Sequence, residues 1–499
     1  MEILRVFKHS FVYGLTGITS TVASVLLVPI YTRVLTPEDY GVIAILRTLT
    51  SILIILLNLG MSSAIFWAYF RAEGDEEKRE VVGTALLFQF LFLLVSTLVL
   101  VIGSYFFNKL IFPEGQPGYY LIVAFITIFF QAGITLPLAI LRAKEQSRRY
   151  VLLTLSNLIL TIGFSIWLVV FLRLGVLGVL LASLISSVLV YSGALPFIIR
   201  YAKLTISFEW LKDMLSFGLP MVPSGLSLWV LNSSDRYFLN YFRDLSEVGI
   251  YNVGYRVGML LVLIVSAVQL AYPPFMFSIA KRKDAKEIYK KFATYYFLLL
   301  FFIALGLAVL SREAVIILTG PKFHSAYTVI PFIAFAYVGF GLFNTFATGV
   351  SVVKKTIYSF IAVFLASAAN VILNFLLIPQ YGIIGAASST VLSFTLLMIF
   401  MYNFSQRVYP IDYELGRMAK IIIVGAAIYF VGSQINLALW PAVVLKSILL
   451  LSYLPLLYIF GFFNENERKK LLYLLKSVKF LKEDPKKALT MIKEPFQKI

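Results

Sequence analysis

Four arginines set in apolar surroundings carry the chemistry this chain could perform. Arg33 and Arg236 stand near the ends of hydrophobic stretches, and Arg47 and Arg256 stand inside the stretches that follow. An arginine in hydrocarbon costs about 2.5–3.5 kcal/mol on insertion scales, so one retained there usually lines a cavity or pairs with another group. Guanidinium groups bind phosphate in bidentate fashion, which makes an anionic headgroup the natural cargo of a cavity they share. Read from its stretch, Arg47 lies about 9 Å below the outer rim at 1.5 Å per residue, and Arg256 takes the equivalent depth. Asn232 could donate to sugar hydroxyls, and Tyr31 and Tyr255 could offer faces for sugar stacking. Plainer readings stand beside these. A lone arginine at a helix end is a snorkelling anchor, an intramembrane Asn bonds a neighbouring helix, and tyrosines form interfacial belts.

Other chemistries find no support. With no cysteine, disulfides, thiolate catalysis and Cys-based metal sites are excluded. The only histidines, His9 and His324, belong to no cluster, so no metal, cofactor or catalytic residue is expected. No phosphate-binding glycine-lysine loop appears, which argues against ATP as the energy source. Asp39, Asp235, Asp244 and Glu247 gather at outer turns and Glu313 sits at a stretch end. A cation–proton antiporter needs a buried carboxylate, and none is evident.

The elements that must position these groups are long apolar stretches. Fourteen are legible, from Ser10–Val34 to Ala442–Phe463, with Ile357–Pro379 and Ile383–Phe404 read as separate spans. Each supplies the roughly 20 residues that a membrane-crossing helix needs. The composition, 60% hydrophobic and 14% charged, agrees with an all-α polytopic membrane protein. About 33 of the 43 Lys and Arg fall on the side shared by both termini, which assigns that side to the cytoplasm of the inner (cytoplasmic) membrane. The net charge of +18 then reads as membrane-surface electrostatics; it is split among short loops with no base-stacking module, so nucleic acid is not a partner. Membrane lipids are, and the basic tail from residue 464 reads as an interfacial helix or a solvated segment. No cleavable signal peptide is expected. The outer loops are too short to hold a catalytic domain.

Spans seven to twelve repeat spans one to six. "FVYGL", Phe11–Leu15, is matched by "LSFGLP", Leu215–Pro220. "TPEDYGV", Thr36–Val42, is matched by "LSEVGIY", Leu245–Tyr251, and Arg47 and Arg256 follow in the next span of each half. "LGVLGVLLAS", Leu174–Ser183, pairs with "YGIIGAASS", Tyr381–Ser389, and the repeated glycines read foremost as sites of close helix packing. Six is even, so both halves share one orientation, related by an axis along the membrane normal. The expected organisation is an N-lobe over 1–205, a C-lobe over 206–406, two further helices over 407–463 and a basic tail over 464–499.

The stretch "LLVPIYTRVLTPEDYGVIAI", Leu26–Ile45, resembles the start of the polysaccharide transporter family, the Wzx-type oligosaccharide flippases of the MOP exporter superfamily. "NFLLIPQYGIIGAASST", Asn374–Thr390, looks like the matching segment of the second half. The resemblance implies a monomer that moves polyprenyl-pyrophosphate-linked oligosaccharide to the outer leaflet by alternating access. It also implies a glycan polymerase or glycosyltransferases as candidate partners. A MATE-type multidrug antiporter shares the superfamily and is the alternative. The family has no universal substrate motif, so Arg33, Arg47, Arg236 and Arg256 rest on the repeat.

Overall fold

The computed structural model describes residues 25–112 and 115–469. Every regular element among the described residues is helical. Among the described residues, twelve helical runs are long and apolar enough to cross a membrane. Helices are the expected answer to a solvent that cannot satisfy a backbone N–H or C=O. In chain order the elements are α1 (Val28–Val34), α2 (Pro37–Arg71), α3 (Gly74–Ile102), α4 (Tyr119–Ala143), α5 (Ser147–Phe171) and α6 (Gly175–Ile199). Then follow α7 (Phe208–Ser233), α8 (Asp235–Phe242), α9 (Leu245–Ile279), α10 (Ala285–Val309), α11 (Ile330–Val352), α12 (Ile357–Val408), α13 (Leu415–Ser433) and α14 (Leu439–Ile459).

Helix α12 has 52 residues, about 78 Å if straight at 1.5 Å per residue, far more than one bilayer. It is a hairpin. The chain turns at Gly382 (φ 53°, ψ −130°), and Asn370 on one arm donates to Ser393 on the other at 3.1 Å. The count of fourteen spans depends on Ser10–Val34, of which α1 is the described end. Residues 1–24, including His9, lie outside the described residues, as does the basic tail after Lys469.

The acidic turns of the two halves are helix caps. Thr36 accepts from the Asp39 N–H while the Asp39 carboxylate accepts from the Thr36 N–H at 3.0 Å, a reciprocal capping box. Asp244 accepts from the Glu247 N–H at 2.8 Å and opens α9 in the same way. Capping starts α2 at Pro37, four residues before the apolar boundary at Gly41. Arg47 is therefore about 15 Å along the helix axis at 1.5 Å per residue, where the apolar boundary alone gave about 9 Å.

Just after these caps, α2 and α9 cross backbone to backbone. A Cβ on Gly41 would meet the Leu245 carbonyl oxygen at 1.8 Å, and one on Gly249 would meet the Pro37 oxygen at 1.9 Å. Only glycine permits that approach at both places. At its other end α2 bends at Leu59 and Gly60, both with positive φ, and meets α7 where that helix tightens over Leu219–Met221. A Cβ on Gly60 would lie 2.2 Å from the Gly218 oxygen. Beyond the bend Trp67 stacks on Phe217 at 5.2 Å and Arg71 pairs with Asp213 at 3.2 Å. Helix α2 is thus sealed to α9 at one end and to α7 at the other, which leaves space between them.

One buried ion pair fastens the C-terminal helices. Glu313, which the sequence placed at a stretch end, is buried and accepts from Lys446 of α14 at 2.7 Å. Neither charge could stay there alone, because an unpaired buried ion costs several kcal/mol.

Candidate functional site

A cavity of about 380 Å³ occupies the space between α2, α9 and the α7–α8 junction, with α11 behind it. Arg47, Thr48 and Ser51 come from α2, Asn232 and Arg236 from the junction, Asn252, Tyr255 and Arg256 from α9, and Tyr337 from α11. Three guanidiniums therefore share one chamber. No carboxylate is part of its lining among the described residues.

The three are held differently. Arg236 is buried and pairs with the neighbouring Asp235 at 2.8 Å. It also donates to the Asn232 carbonyl oxygen, and its guanidinium lies 4.0 Å above the Tyr255 ring. Asp235 is only 2% exposed, accepts from the Tyr251 hydroxyl and lies 3.4 Å from the Thr390 hydroxyl. Arg256 is buried too; its Nε donates to Asn252 one helical turn earlier at 2.9 Å, and its guanidinium lies 5.6 Å from the Tyr40 ring. Arg47 is partly buried and makes no ion pair among the described residues.

Behind Arg47 lies a second chamber of about 310 Å³, walled by Thr50, Ser51, Thr127, Gln131, Asn157, Thr161 and Ser183 from the first half of the chain. Arg47 and Ser51 border both spaces. Leu46, Ile54, Ala124, Val179 and Leu180 complete a mixed lining, and Arg47 is its one charged residue among the described residues. It offers hydroxyls and amides to an uncharged polar ligand.

Five of the seven residues singled out from sequence meet here: Arg47, Arg236, Arg256, Asn232 and Tyr255. Two do not. Arg33 is exposed at the last turn of α1 and does not line the cavity. Tyr31 is buried instead, its hydroxyl donating to Ser165 at 2.8 Å and its ring packed edge-on against Tyr40. Tyr255 lines the chamber, but Arg236 already covers its ring. Asn232 turns its amide back to the Leu228 oxygen at 2.8 Å and leaves its own oxygen 3.4 Å from the Tyr337 hydroxyl.

The repeat also needs adjustment. With Gly41 set on Gly249, Arg47 falls opposite Tyr255 and Thr48 opposite Arg256. One residue on a helix is about 100° of rotation, so the two arginines reach one chamber from different faces. Arg33 and Arg236 are not structural equivalents either, since one is exposed and the other buried. Besides Glu313, the buried carboxylate that the sequence reading did not recognise is Asp235. It lies seven residues before the end of α8, and its charge is matched within the site.

Sequence reasoning missed Thr48, Ser51, Asn252 and Tyr337. The first two continue the stripe Ala44, Arg47, Thr48, Ser51, whose spacing of three and four puts them on one helix face. Asn252 precedes Arg256 by four and was legible in the same way. Tyr337 sits in an unbroken apolar span and carried no signal.

The comparisons with known proteins agree with this architecture. Residues 30–328 match the family described as polysaccharide biosynthesis protein. The Lsg locus putative protein 1 of Haemophilus influenzae is 22% identical, over 64% of this chain and 78% of its own. The succinoglycan biosynthesis transport protein ExoT of Rhizobium meliloti is 23% identical, over 62% of this chain and 61% of its own. Among solved structures, the lipid II flippase MurJ in an inward closed conformation superposes with a TM-score of 0.74 at 17% identity, covering 91% of this chain and 98% of that one. An inward-facing MATE multidrug resistance transporter of the MOP superfamily gives a TM-score of 0.65 at 17% identity, covering 82% and 96%. The helical bundle is the fold of MurJ and MATE proteins, and with a family match over more than half its length the chain belongs to the polysaccharide biosynthesis protein family.

Proposed function

We propose that the protein is a flippase for a polyprenyl-pyrophosphate-linked oligosaccharide, carrying it from the cytoplasmic to the outer leaflet of the cell membrane. One observation supports this above the others: Arg47, Arg236 and Arg256 line a single intramembrane cavity without a free carboxylate among the described residues. A pyrophosphate is the kind of group such a cavity stabilises, because charge-assisted bidentate bonds strengthen away from water. The hydroxyls and amides of the chamber behind Arg47, set among apolar side chains, suit a sugar's hydroxyls and ring faces. The prenyl tail remains in lipid.

In this reading residues 1–205 and 206–406 act as two lobes that rock about the cavity. Opening the α2–α7 contact admits cargo from the Lys/Arg-rich side, which is the cytoplasmic one and carries both termini. Opening the Gly41–Gly249 crossing releases it outward. Glycan-building enzymes are the natural partners. The MATE-type cation antiporter is the second reading, and buried Asp235 is the observation that favours it. Its ion pair with Arg236 at 2.8 Å leaves no net negative charge for an organic cation.

The test is outer-leaflet delivery of the lipid-linked sugar by the purified protein in vesicles. Arg47→Ala and Arg256→Ala each abolish delivery while protein level and monodispersity hold. Wild-type delivery by both variants overturns the reading.

A further inference from the structure

A second basic cavity, of about 280 Å³, lies at the Lys/Arg-rich ends of α2, α3, α4 and α6, apart from the central chamber. Lys78, Arg79, Lys144 and Arg200 line it together with Tyr69 and Tyr201, and Asp75 is its one carboxylate. None of these four cations is ion-paired among the described residues. Two of the nearby acids are engaged elsewhere: Glu76 pairs with Lys203 at 2.8 Å, and Glu77 accepts from the Glu73 N–H.

The arrangement is built rather than scattered. The Lys144 ammonium sits between two rings, 4.1 Å from the centroid of Tyr201 and 5.5 Å from that of Tyr69. Lys78 reaches the same Tyr69 ring at 5.7 Å. Such contacts hold an ammonium in place without neutralising it. Tyr201 is itself fixed by the Gln146 amide at 2.7 Å and by Arg149 at 3.2 Å. The Gln146 bond and the neighbouring cations Arg149 and Lys144 hold its hydroxyl below the ordinary phenol range. A concave site with a net surplus of positive charge, rigid walls and a place at the membrane surface suits one chemistry: a phosphate group presented by a lipid.

We propose that this cavity is a docking site for the phosphorylated headgroup of a lipid in the cytoplasmic leaflet. Resting on the flippase reading, the site captures the pyrophosphate of the cargo before α2 and α7 part. An anionic phospholipid presents the same chemistry, and the test separates the two. The central arginines lie deep along their helices and cannot make first contact at the surface. The segment "RAKEQSRRY", Arg142–Tyr150, serves this cavity: Lys144 lines it, and Gln146 and Arg149 fix its Tyr201 wall.

The chain has no cysteine, so a single introduced thiol reports on one place. Asp75→Cys puts a thiol in the lining, and Lys322→Cys on the opposite face serves as control. Maleimide labelling of the full chain in phosphatidylcholine nanodiscs is followed with added polyprenyl pyrophosphate or with phosphatidylglycerol replacing part of the lipid. Protection at position 75, and not at 322, by about tenfold is the expected result, as several charge-assisted bonds would give. Protection by polyprenyl pyrophosphate alone identifies cargo capture; protection by phosphatidylglycerol as well identifies a general phospholipid headgroup site. Lys144→Ala with Arg200→Ala removes the protection, and Arg79→Ala, at an exposed position, weakens it without touching the ring cage. Unchanged labelling with both lipids overturns the proposal. Labelling requires no transport, so that outcome is distinct from failure of the central arginines to matter for delivery.

Discussion

The two halves of this chain repeat sequence motifs and diverge in how they hold charge. The first half offers Arg47 without an ion pair among the described residues, beside a chamber of hydroxyls and amides. The second half supplies Arg236 and Arg256 locked by Asp235, Asn252 and the rings of Tyr255 and Tyr40. A locked guanidinium is preorganised and stabilises a ligand without reorganising. A loosely held one can follow a moving headgroup. The contrast points to a division of labour in which the C-terminal half fixes the charge field and the N-terminal half carries the mobile contact.

Stability separates the halves most sharply. Asp235→Ala strands Arg236 in a buried site and should cost about 3–5 kcal/mol, seen as a large fall in thermal unfolding temperature. Arg47→Ala breaks no pair and should stay within about 0.5 kcal/mol. Equal losses in the same detergent would erase the distinction. Next comes the closure of α2 on α7. Arg71→Cys with Asp213→Cys, joined by a short reducible cross-linker, should stop transport until reductant is added. Transport through the cross-linked protein would mean that this contact is not a gate. The smallest effect belongs to Tyr337→Phe. It removes the weak bonds to Tyr255 and Asn232 at about 1 kcal/mol, and delivery should fall by less than about tenfold. A loss as deep as that of Arg256→Ala would move Tyr337 into the binding machinery.

Much of the bundle was legible because lipid imposes a simple rule on length and polarity. The span limits at Pro379 and Ile383 anticipated a hairpin around Gly382, where a positive φ turns the chain. Gly175 makes the corresponding turn with φ 57°. Arg47 and Arg256 stood out because charge in an apolar span is costly. Arg47 stands farther along its helix than the apolar boundary gave, because capping starts α2 four residues before that boundary. Arg33 misled because it shares its residue type with Arg236 and not its surroundings; a helix end can point a side chain to solvent or inward, and sequence does not say which. Asp235 was hidden for the converse reason. An acidic residue beside an arginine looks like a surface pair until tertiary packing buries both. The second-half network of Asn370, Asn374 and Ser234 likewise depends on helices far apart in sequence.

A flippase of this kind must receive a negatively charged lipid head on the positive side chains that the two halves of the chain bring into one cavity. The most direct measurement is a structure of the full chain with polyprenyl pyrophosphate bound. The prediction is phosphate oxygens within about 2.7–3.2 Å of the Arg47 and Arg256 guanidiniums. Phosphate density elsewhere, with those two arginines still facing an unfilled cavity, would contradict it.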